Sequence, residues 1–327
     1  MRNTASRIFA AALGLALTAF VTQAQAQQAG SWPSRPIRFI VGATAGGPTD
    51  VVARIVGAEL TSTLGQPIIV DNRPGAGHQI GMTAMANADP DGYTFGVVTT
   101  PFVINPAVYK KMPYETKDLQ PVSLLASSPL ILVVHPSVPA KSVKELVDLA
   151  KAKPGELNMA SAGNVTGPHL AGELFRSMAG IKVQHVAYRG GPQATTAVIR
   201  GEAHFFFDTP SGVMPHVESG AVRALAHTFP VPVAQLPKLP TVAETGFPGY
   251  EFHVWTGIVV PAAVPKEIVD RMEAALRKAV QVEAVRNRLV AAGFVPMGTS
   301  SKDFGTLIGK ELAKWQTVVK EAGIAAQ

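Results

Sequence analysis

Short β-branched runs that end in small-residue loops and lead into helical segments recur through most of this chain. This alternation constrains the fold more than any other feature. The first run, 36–41, ends in the loop Gly42-Ala43-Thr44-Ala45-Gly46-Gly47, and a helix with apolar residues at helical spacing then continues to Gly65. Repeated strand, loop and helix units are typical of parallel sheets joined by right-handed crossovers. The sequence therefore predicts an α/β fold.

Two groups of such units are separated near residue 121. In the first group we predict further strands over 67–70 and 93–99, with a helix between them that reaches about 88. In the second group we predict strands over 130–134, 157–160, 183–187, 203–207 and 222–226, and helices over 143–151, 168–178 and up to 201. A long strand over 252–260 and helices over 266–280, 283–292 and 300–322 follow. A chain of this order can return to its first unit, which predicts two lobes joined by two crossing strands.

The N-terminal 26 residues have the pattern of a secretory signal peptide. Arg2 and Arg7 precede an uncharged run over 8–21, and Ala24 and Ala26 form a small-residue cleavage pattern. The apolar run is shorter than the roughly 20 residues that span a bilayer. The chain has no cysteine, which excludes disulfides, thiolate metal sites and a lipid-anchored cysteine. We expect cleavage after Ala26, export to the periplasm, and a net charge of +4 on the exported chain.

Catalytic and nucleic-acid signatures are missing. No nucleophile elbow, zinc-protease or phosphate-loop motif occurs, and the basic residues are mixed with acidic ones on predicted helices, which disfavours nucleic-acid binding. His169 and Glu173 share a helix face, but no third metal ligand follows at a diagnostic spacing. The glycines from Gly75 to Gly81 lack the spacing of a dinucleotide site. An exported α/β hydrolase that acts on a small ester stays open as an alternative, because catalytic triads form in space.

Four glycine-containing loops lie between a predicted strand and the helix that follows it. They contain Gly46-Gly47 with Thr49 and Asp50, Gly75–Gly77, residues 161–167, and Gly190-Gly191. Such loops gather at the carboxyl ends of the strands, where helix N-termini favour anions. Ser161, Asn164 and Thr166 add hydroxyl and amide donors. The loops together predict a site for a small anion such as a carboxylate.

The order of several short motifs resembles one known family. The motifs are Trp32-Pro33-Ser34-Arg35-Pro36-Ile37, Gly46-Gly47-Pro48-Thr49-Asp50, Asp71-Asn72-Arg73-Pro74-Gly75-Ala76-Gly77, Pro90-Asp91-Gly92-Tyr93-Thr94, His135-Pro136-Ser137-Val138-Pro139, His169-Leu170-Ala171-Gly172-Glu173-Leu174-Phe175 and Pro240-Thr241-Val242-Ala243-Glu244. They are similar to those of the Bug-type substrate-binding receptors of tripartite tricarboxylate transporters. The resemblance covers nearly all of residues 30–325.

This resemblance implies a two-lobed Venus-flytrap fold of the type II periplasmic-binding class, with a ligand carboxylate held by backbone amides. It implies lobes of about 27–126 with 229–327, and 127–228. By motif it assigns ligand contacts to Gly46, Gly47, Thr49, Asp50, Gly75, Ala76, Gly77, Ser161, Ala162, Gly163 and Thr166. The loops at Tyr188-Arg189 and Asp208-Thr209 would meet the far end of the ligand.

Two loops depart from the usual pattern of the family. The first carries Thr44 in place of a proline-rich stretch, and the second continues with His78-Gln79, so both place polar groups near the cleft. The resemblance as a whole implies a monomeric receptor, without a cofactor, that binds a small organic carboxylate and delivers it to a membrane permease. Arg189 could pair with a second carboxylate of an aliphatic or aromatic dicarboxylate. Asp208 could instead accept an ammonium group, which would favour an amino acid.

Overall fold

The computed structural model describes residues 32–164, 166–233 and 236–321. The predicted signal peptide and its cleavage site lie outside these residues. Within them the chain forms eleven strands and ten α-helices, and the strands make two sheets. The predicted α/β class is confirmed. No helix in these ranges is long and apolar enough to span a bilayer.

The first sheet has six strands in the order β11-β4-β10-β3-β1-β2. Strand β1 pairs in parallel with both β2 and β3, and β10 runs antiparallel to both β3 and β4. The carboxyl ends of β1, β2 and β3 therefore lie at one edge of the sheet. The strands are β1 (Ile37–Val41), β2 (Ile68–Asn72), β3 (Thr94–Thr99), β4 (Leu119–Pro129), β10 (His253–Pro261) and β11 (Val295–Pro296).

The second sheet has five strands in the order β7-β6-β8-β5-β9. Strand β6 pairs in parallel with β7 and β8, whereas β5 is antiparallel to β8 and β9. Its parallel strands also end at a common edge. The strands are β5 (Ile131–Val134), β6 (Asn158–Ser161), β7 (Gln184–Ala187), β8 (Phe205–Asp208) and β9 (Arg223–His227).

Both sheets are mixed, so the prediction of parallel sheets is wrong for β5, β10 and β11. The reason is the path of the chain between the sheets. Leu130 alone separates the end of β4 from the start of β5. The chain therefore enters the second sheet at the edge where the parallel strands end, and β5 must run against them. The returning strand β10 meets the same constraint in the first sheet.

Ten helices cover the sheets, and most begin where a local sequence signal predicts. The Ser142 hydroxyl accepts the Glu145 amide at 3.2 Å, and the Ser300 hydroxyl accepts the Asp303 amide at 3.1 Å, which confirms both predicted N-caps. The helices are α1 (Pro48–Leu64), α2 (Gln79–Ala86), α3 (Pro101–Val108), α4 (Val143–Ala152), α5 (Gly167–Ala179), α6 (Gly191–Ile199), α7 (Pro210–Glu218), α8 (Lys266–Gln281), α9 (Glu283–Ala291) and α10 (Ser301–Glu321). Strands β4 and β11 and helices α3 and α7 were not predicted.

The largest apolar core joins the two sheets. It contains Val98 of the first sheet, Phe207 of the second, and Phe252 and Trp315 from the C-terminal part of the chain. A fully buried aromatic or aliphatic side chain contributes about 1.5–3 kcal/mol. A second core packs α1 and α8 on the other face of the first sheet, and a third lies under α6 and α7. The cores hold the parallel-strand edges in fixed positions.

Candidate functional site

The carboxyl edges of the two sheets face each other across a short stretch of chain. Thr99, at the end of β3, is level with Thr256, and Thr256 is level with Ala126 of β4. Ile131, at the start of β5, is level with Asp208 at the end of β8. Only four residues lie between Ala126 and Ile131, and the five Cα–Cα steps that join them span at most about 18 Å. The loops that follow β1–β3 and β6–β8 therefore face each other across a gap that this short span bridges.

The loop over 42–47 is held from inside by Asp50. One carboxylate oxygen of Asp50 accepts the Gly46 amide at 2.9 Å and Arg54 Nε at 2.9 Å, and the side chain is 2% exposed. Asn72 Nδ2 donates to the Ala43 carbonyl at 3.1 Å. Burial acts to raise the pKa of Asp50, but the hydrogen bonds from Arg54 and Gly46 outweigh it and lower that pKa. Asp50 therefore bonds the loop, and its carboxylate is ionised at neutral pH.

The free donors of this loop differ from the predicted ones. The Gly46 and Gly47 amides are both used within the loop, the first on Asp50 and the second on the Thr44 carbonyl at 3.2 Å. In the described part of the chain the amides of Thr49 and Asp50, which follow Pro48 in the first turn of α1, donate to no acceptor. Helix amides of this kind bind anions. The Thr44 side chain is exposed beside them.

The loop after β2 makes a left-handed turn over Gly75–His78. Asn105 Nδ2 of α3 donates to the Gly77 carbonyl at 2.8 Å. A Cβ atom on Gly42 would lie 3.1 Å from both Cβ and the carbonyl oxygen of His78. The absence of a side chain at Gly42 therefore allows the first and second loops to touch, as the sequence predicts for loops at one sheet edge.

A third segment of this edge was not predicted as a site. Thr99 ends β3, and Thr100 lies between it and Pro101, the first residue of α3. Both side chains are buried, at 4% and 3% exposure, and their hydroxyls have no hydrogen-bond partner. The threonine pair before a proline is a helix-start signal that sequence reasoning missed. It extends the polar edge from β1 to β3.

In the second sheet the loop over 161–166 is tied by its own hydroxyls. The Ser161 hydroxyl accepts the Gly163 amide at 3.2 Å and lies 3.1 Å from the Gly163 carbonyl. Thr166 Oγ1 donates to that carbonyl at 2.7 Å and does not cap α5. Ser161 is fully buried, whereas Asn164 is exposed and Ala162 and Gly163 are half-buried. Ser161 therefore shapes the loop from within.

Two stacked histidines, His185 and His169, lie beside Ser161. His185 Nε2 lies 2.6 Å from the Ser161 hydroxyl, and the His185 and His169 rings stack with centroids 4.0 Å apart. Burial lowers the pKa of His185, and burial with the neighbouring His185 and Arg176 lowers the pKa of His169 to about 4. Both rings are therefore neutral at pH 7. The Glu173 carboxylate lies 3.8 Å from His169 Nε2 and pairs with Arg176.

The predicted residues after β7 and β8 have different surroundings. The Tyr188 amide donates to the Ser161 carbonyl at 3.0 Å, but its ring lines a surface groove along α6 with Pro192, Gln193, Thr196, Ala197, Arg200 and Glu202. Arg189 is exposed and makes no hydrogen bond or ion pair in the described residues. The ring of Tyr188 thus lies along the helix, and only its backbone joins the loop.

The Asp208 carboxylate is enclosed by the N-terminal ends of α6 and α7. Its side chain is 7% exposed and accepts the Thr209 amide at 2.8 Å and the Thr195 hydroxyl at 3.4 Å. Cβ atoms placed on Gly191 and Gly212 would lie 3.1 Å and 2.6 Å from its Oδ2. Burial raises the pKa of Asp208, against the hydrogen bond from Thr209. The carboxylate thus takes the place of an anion at the starts of α6 and α7.

No metal centre is found among the residues described, and the serine at the site, Ser161, is not an exposed nucleophile. No group of three potential metal ligands occurs there, so His169 and Glu173 lack a third ligand. Ser161 lies next to a histidine, but it is fully buried and bonded within its loop. The loops at the two edges instead carry free amides and the exposed Thr44 hydroxyl, which suit a small oxygen-rich anion.

A family model described as the tripartite tricarboxylate transporter family receptor matches residues 52–324. The chain is 34% identical to Rpa4515 of R. palustris, solved with adipate, with a TM-score of 0.78 over 90% of this chain and 99% of that one. MatC of Rhodopseudomonas palustris, solved with bound malate, is 30% identical, with a TM-score of 0.73 over 88% and 100% of the two chains. The periplasmic binding protein BugD is 29% identical, with a TM-score of 0.75 over 90% and 100%.

Proposed function

The chain belongs to the tripartite tricarboxylate transporter receptor family, and from this premise we propose that it captures a small organic dicarboxylate in the cleft and delivers it to a membrane permease. The family consists of solute-binding receptors of the Bug type and not of enzymes. Its members have the two-lobed periplasmic-binding fold. The predicted receptor function and fold class are thereby confirmed, whereas the ligand and the transporter partner are part of the proposal.

One observation carries the proposal. The carboxyl edges of two parallel-strand sets face each other across the four residues between Ala126 and Ile131, and α1 begins at one edge with two unpaired amides. The positive end of a helix dipole, where such amides lie, favours one anionic group by about 0.3–1 kcal/mol at exposed sites, and by more when the group is partly buried. A ligand between the edges would contact both sheets at once.

We assign the contacts as follows. The first carboxylate of the ligand accepts the Thr49 and Asp50 amides and the Thr44 hydroxyl on one side, and groups of the 161–166 loop on the other. The Asp50 side chain, Gly46 and Gly47 hold the first loop in shape, as Ser161 holds the second. The remaining contacts would come from Gly75, Ala76, Gly77, His78, Ala162, Gly163, Asn164, Thr166, the Tyr188 backbone, Arg189 and Thr209.

A second carboxylate is favoured over an ammonium group. Asp208 is buried and already accepts two hydrogen bonds, so it does not offer an exposed anion to an amino acid. Arg189 is an exposed cation at the end of β7. The structures of Rpa4515 with adipate and MatC with malate contain ligands of this class. We infer an aliphatic dicarboxylate.

The proposed mechanism is closure about the segments that join the two sheets. The Leu130 amide donates to the Thr228 hydroxyl at 2.8 Å, the Thr228 amide donates to the Leu130 carbonyl at 2.9 Å, and the Phe252 amide donates to the Thr228 carbonyl at 3.1 Å. These buried bonds tie the crossing segments together. Ligand contacts to both edges would favour the closed state, which the permease would then recognise. The lobes would be about 27–126 with 229–327, and 127–228.

The remaining features of the proposal concern where the protein works. We propose that residues 1–26 direct export and that cleavage follows Ala26, which leaves a monomeric periplasmic receptor. BugD is described as a periplasmic binding protein. Mass determination of the exported chain tests the cleavage site, and uptake of labelled dicarboxylate by cells with and without the permease tests the delivery step.

The binding experiment follows the melting temperature of the exported chain with a panel of small carboxylates. A dicarboxylate at 100 times its dissociation constant should stabilise the fold by about 2.7 kcal/mol, which raises Tm by about 4 °C for a chain of this length. Gly47→Leu should lose this shift, because a Cβ at Gly47 would lie 3.1 Å from the Thr44 carbonyl. Gly309→Leu, on the exposed side of α10, is the control. Ester turnover without any carboxylate-induced shift would instead support the hydrolase.

A further inference from the structure

Two residues of the second loop adopt a backbone conformation that glycine normally takes. The φ angles are +128° at Gly75, +45° at Ala76, +60° at Gly77 and +74° at His78. Ala76 and His78 are the non-glycine residues with positive φ in the described ranges. Left-handed backbone is strained for residues with a Cβ atom, and such strain is concentrated at functional sites. The turn therefore raises the question of what the His78 side chain does.

The surroundings hold this turn firmly. Asn105 Nδ2 donates to the Gly77 carbonyl at 2.8 Å, and a Cβ on Gly77 would lie 3.1 Å from the Tyr109 hydroxyl. On the opposite side the backbone of Gly42 lies against His78. A glycine at position 78 would reverse the chain with less strain. The turn itself therefore does not require the imidazole side chain at position 78.

The two ring nitrogens of His78 have different surroundings. Nδ1 is buried and has no hydrogen-bond partner, whereas Nε2 is not buried and makes no hydrogen bond in the described residues. Burial lowers the pKa of His78, so the ring is neutral at pH 7. A neutral imidazole carries one proton, and when that proton is on Nε2 the accessible nitrogen is a hydrogen-bond donor. The accessible edge of the ring can donate to a ligand oxygen.

We propose that His78 is a specificity-determining residue, whose Nε2–H donates to the second carboxylate of the bound dicarboxylate. This inference rests on the proposed function. The first carboxylate has its donors at the α1 end of the first loop, near Thr49, whereas His78 lies against Gly42 at the opposite end of that loop. A ligand with two carboxylates can reach both positions. A monocarboxylate of the same chain length lacks the group that His78 would bind.

The test compares two glycine variants of the same turn by calorimetric titration. His78→Gly removes both the strain and the imidazole, whereas Ala76→Gly removes strain and no polar group. The probes are paired by chain length: succinate with butyrate, and adipate with hexanoate. His78→Gly should bind the dicarboxylate that the wild type prefers at least tenfold more weakly, as loss of a hydrogen bond to a charged group implies. Its affinity for the matched monocarboxylate should change by less than about threefold.

Ala76→Gly should keep the wild-type preference for the dicarboxylate over the matched monocarboxylate, and both variants should melt at or above the wild-type temperature. The inference is overturned if His78→Gly keeps the dicarboxylate affinity, or if both members of a pair weaken equally. Equal weakening in the two variants would show that turn geometry matters and the imidazole does not. If the wild type binds none of the carboxylates, the proposed function fails first and this inference fails with it.

Discussion

Replacing Asp50 by alanine should both destabilise the fold and weaken ligand binding. The variant removes a carboxylate that is 2% exposed and that accepts the Gly46 amide and Arg54 Nε, each at 2.9 Å. A hydrogen bond to a charged group contributes about 1.5–3 kcal/mol. The Arg54 side chain is 52% exposed and can be hydrated after the change, so its part is small. We therefore expect a loss of about 2 kcal/mol.

The assay is thermal unfolding at pH 7, where this loss corresponds to a fall in Tm of about 3 °C for a chain of this length. Asp148→Ala, which removes an exposed pair with Lys144 on α4, should change the stability by less than about 0.5 kcal/mol. Because the folded-state pKa of Asp50 is lowered, its contribution is complete above the unfolded pKa of about 3.9 and is lost as pH falls through the lower folded value. The unfolding free energies of the wild type and of Asp50→Ala should therefore converge in very acidic solution.

Ligand affinity provides the second readout for Asp50→Ala. Loss of the Gly46 anchor releases the loop that precedes the α1 amides, so dicarboxylate binding should weaken by at least about tenfold. If the variant melts within 1 °C of the wild type and binds equally well, then Asp50 does not hold the loop and the assignment of its role is wrong.

Three further outcomes are expected. Burial lowers the pKa of His253 to about 4, so the wild type should lose unfolding free energy as pH falls from about 6.5 to 4. Urea titrations should show a loss about 3 kcal/mol larger than that of His253→Gln. The same dependence of unfolding free energy on pH in both proteins would contradict this. Gly42→Ala should lower Tm and ligand affinity together, because its Cβ would press on the second loop, whereas Gly309→Ala should raise Tm slightly through helix propensity. Ser161→Ala should weaken dicarboxylate binding in titrations with little change in secondary structure, since it unties the loop over 161–166; wild-type affinity would remove Ser161 from the site.

Local signals in the sequence were sufficient to predict most helix starts and the strands that precede them. Ser142 and Ser300 cap their helices as expected. Strand β4 was missed because Pro121 and Pro129 and its serines resemble a loop. The strand accommodates Pro121 next to a register shift in its pairing with β10, and Pro129 is its last residue. Pairing with β10, a partner more than a hundred residues away, decides this strand.

The site was predictable only as a set of loops. That the loops gather at strand ends follows from parallel pairing, which the sequence predicts. Which amides stay free does not follow, because the Asp50 side chain takes the Gly46 amide through a bond that depends on exact geometry. The direction of the Tyr188 ring along α6 and the enclosure of Asp208 by two helix starts depend likewise on packing. Helix α3 was missed because it contains Pro106, a residue that usually ends a helix. The Thr99–Thr100 edge, which leads into that helix, was missed with it.

The central claim is that the ligand binds between the two carboxyl edges, and a crystal structure of the exported chain with its preferred dicarboxylate tests it most directly. We predict one carboxylate within hydrogen-bond distance of the Thr49 amide and of the 161–166 loop, with the second carboxylate near His78 Nε2. A dicarboxylate that contacts only one sheet, or that binds away from the gap between the two carboxyl edges, would contradict the account.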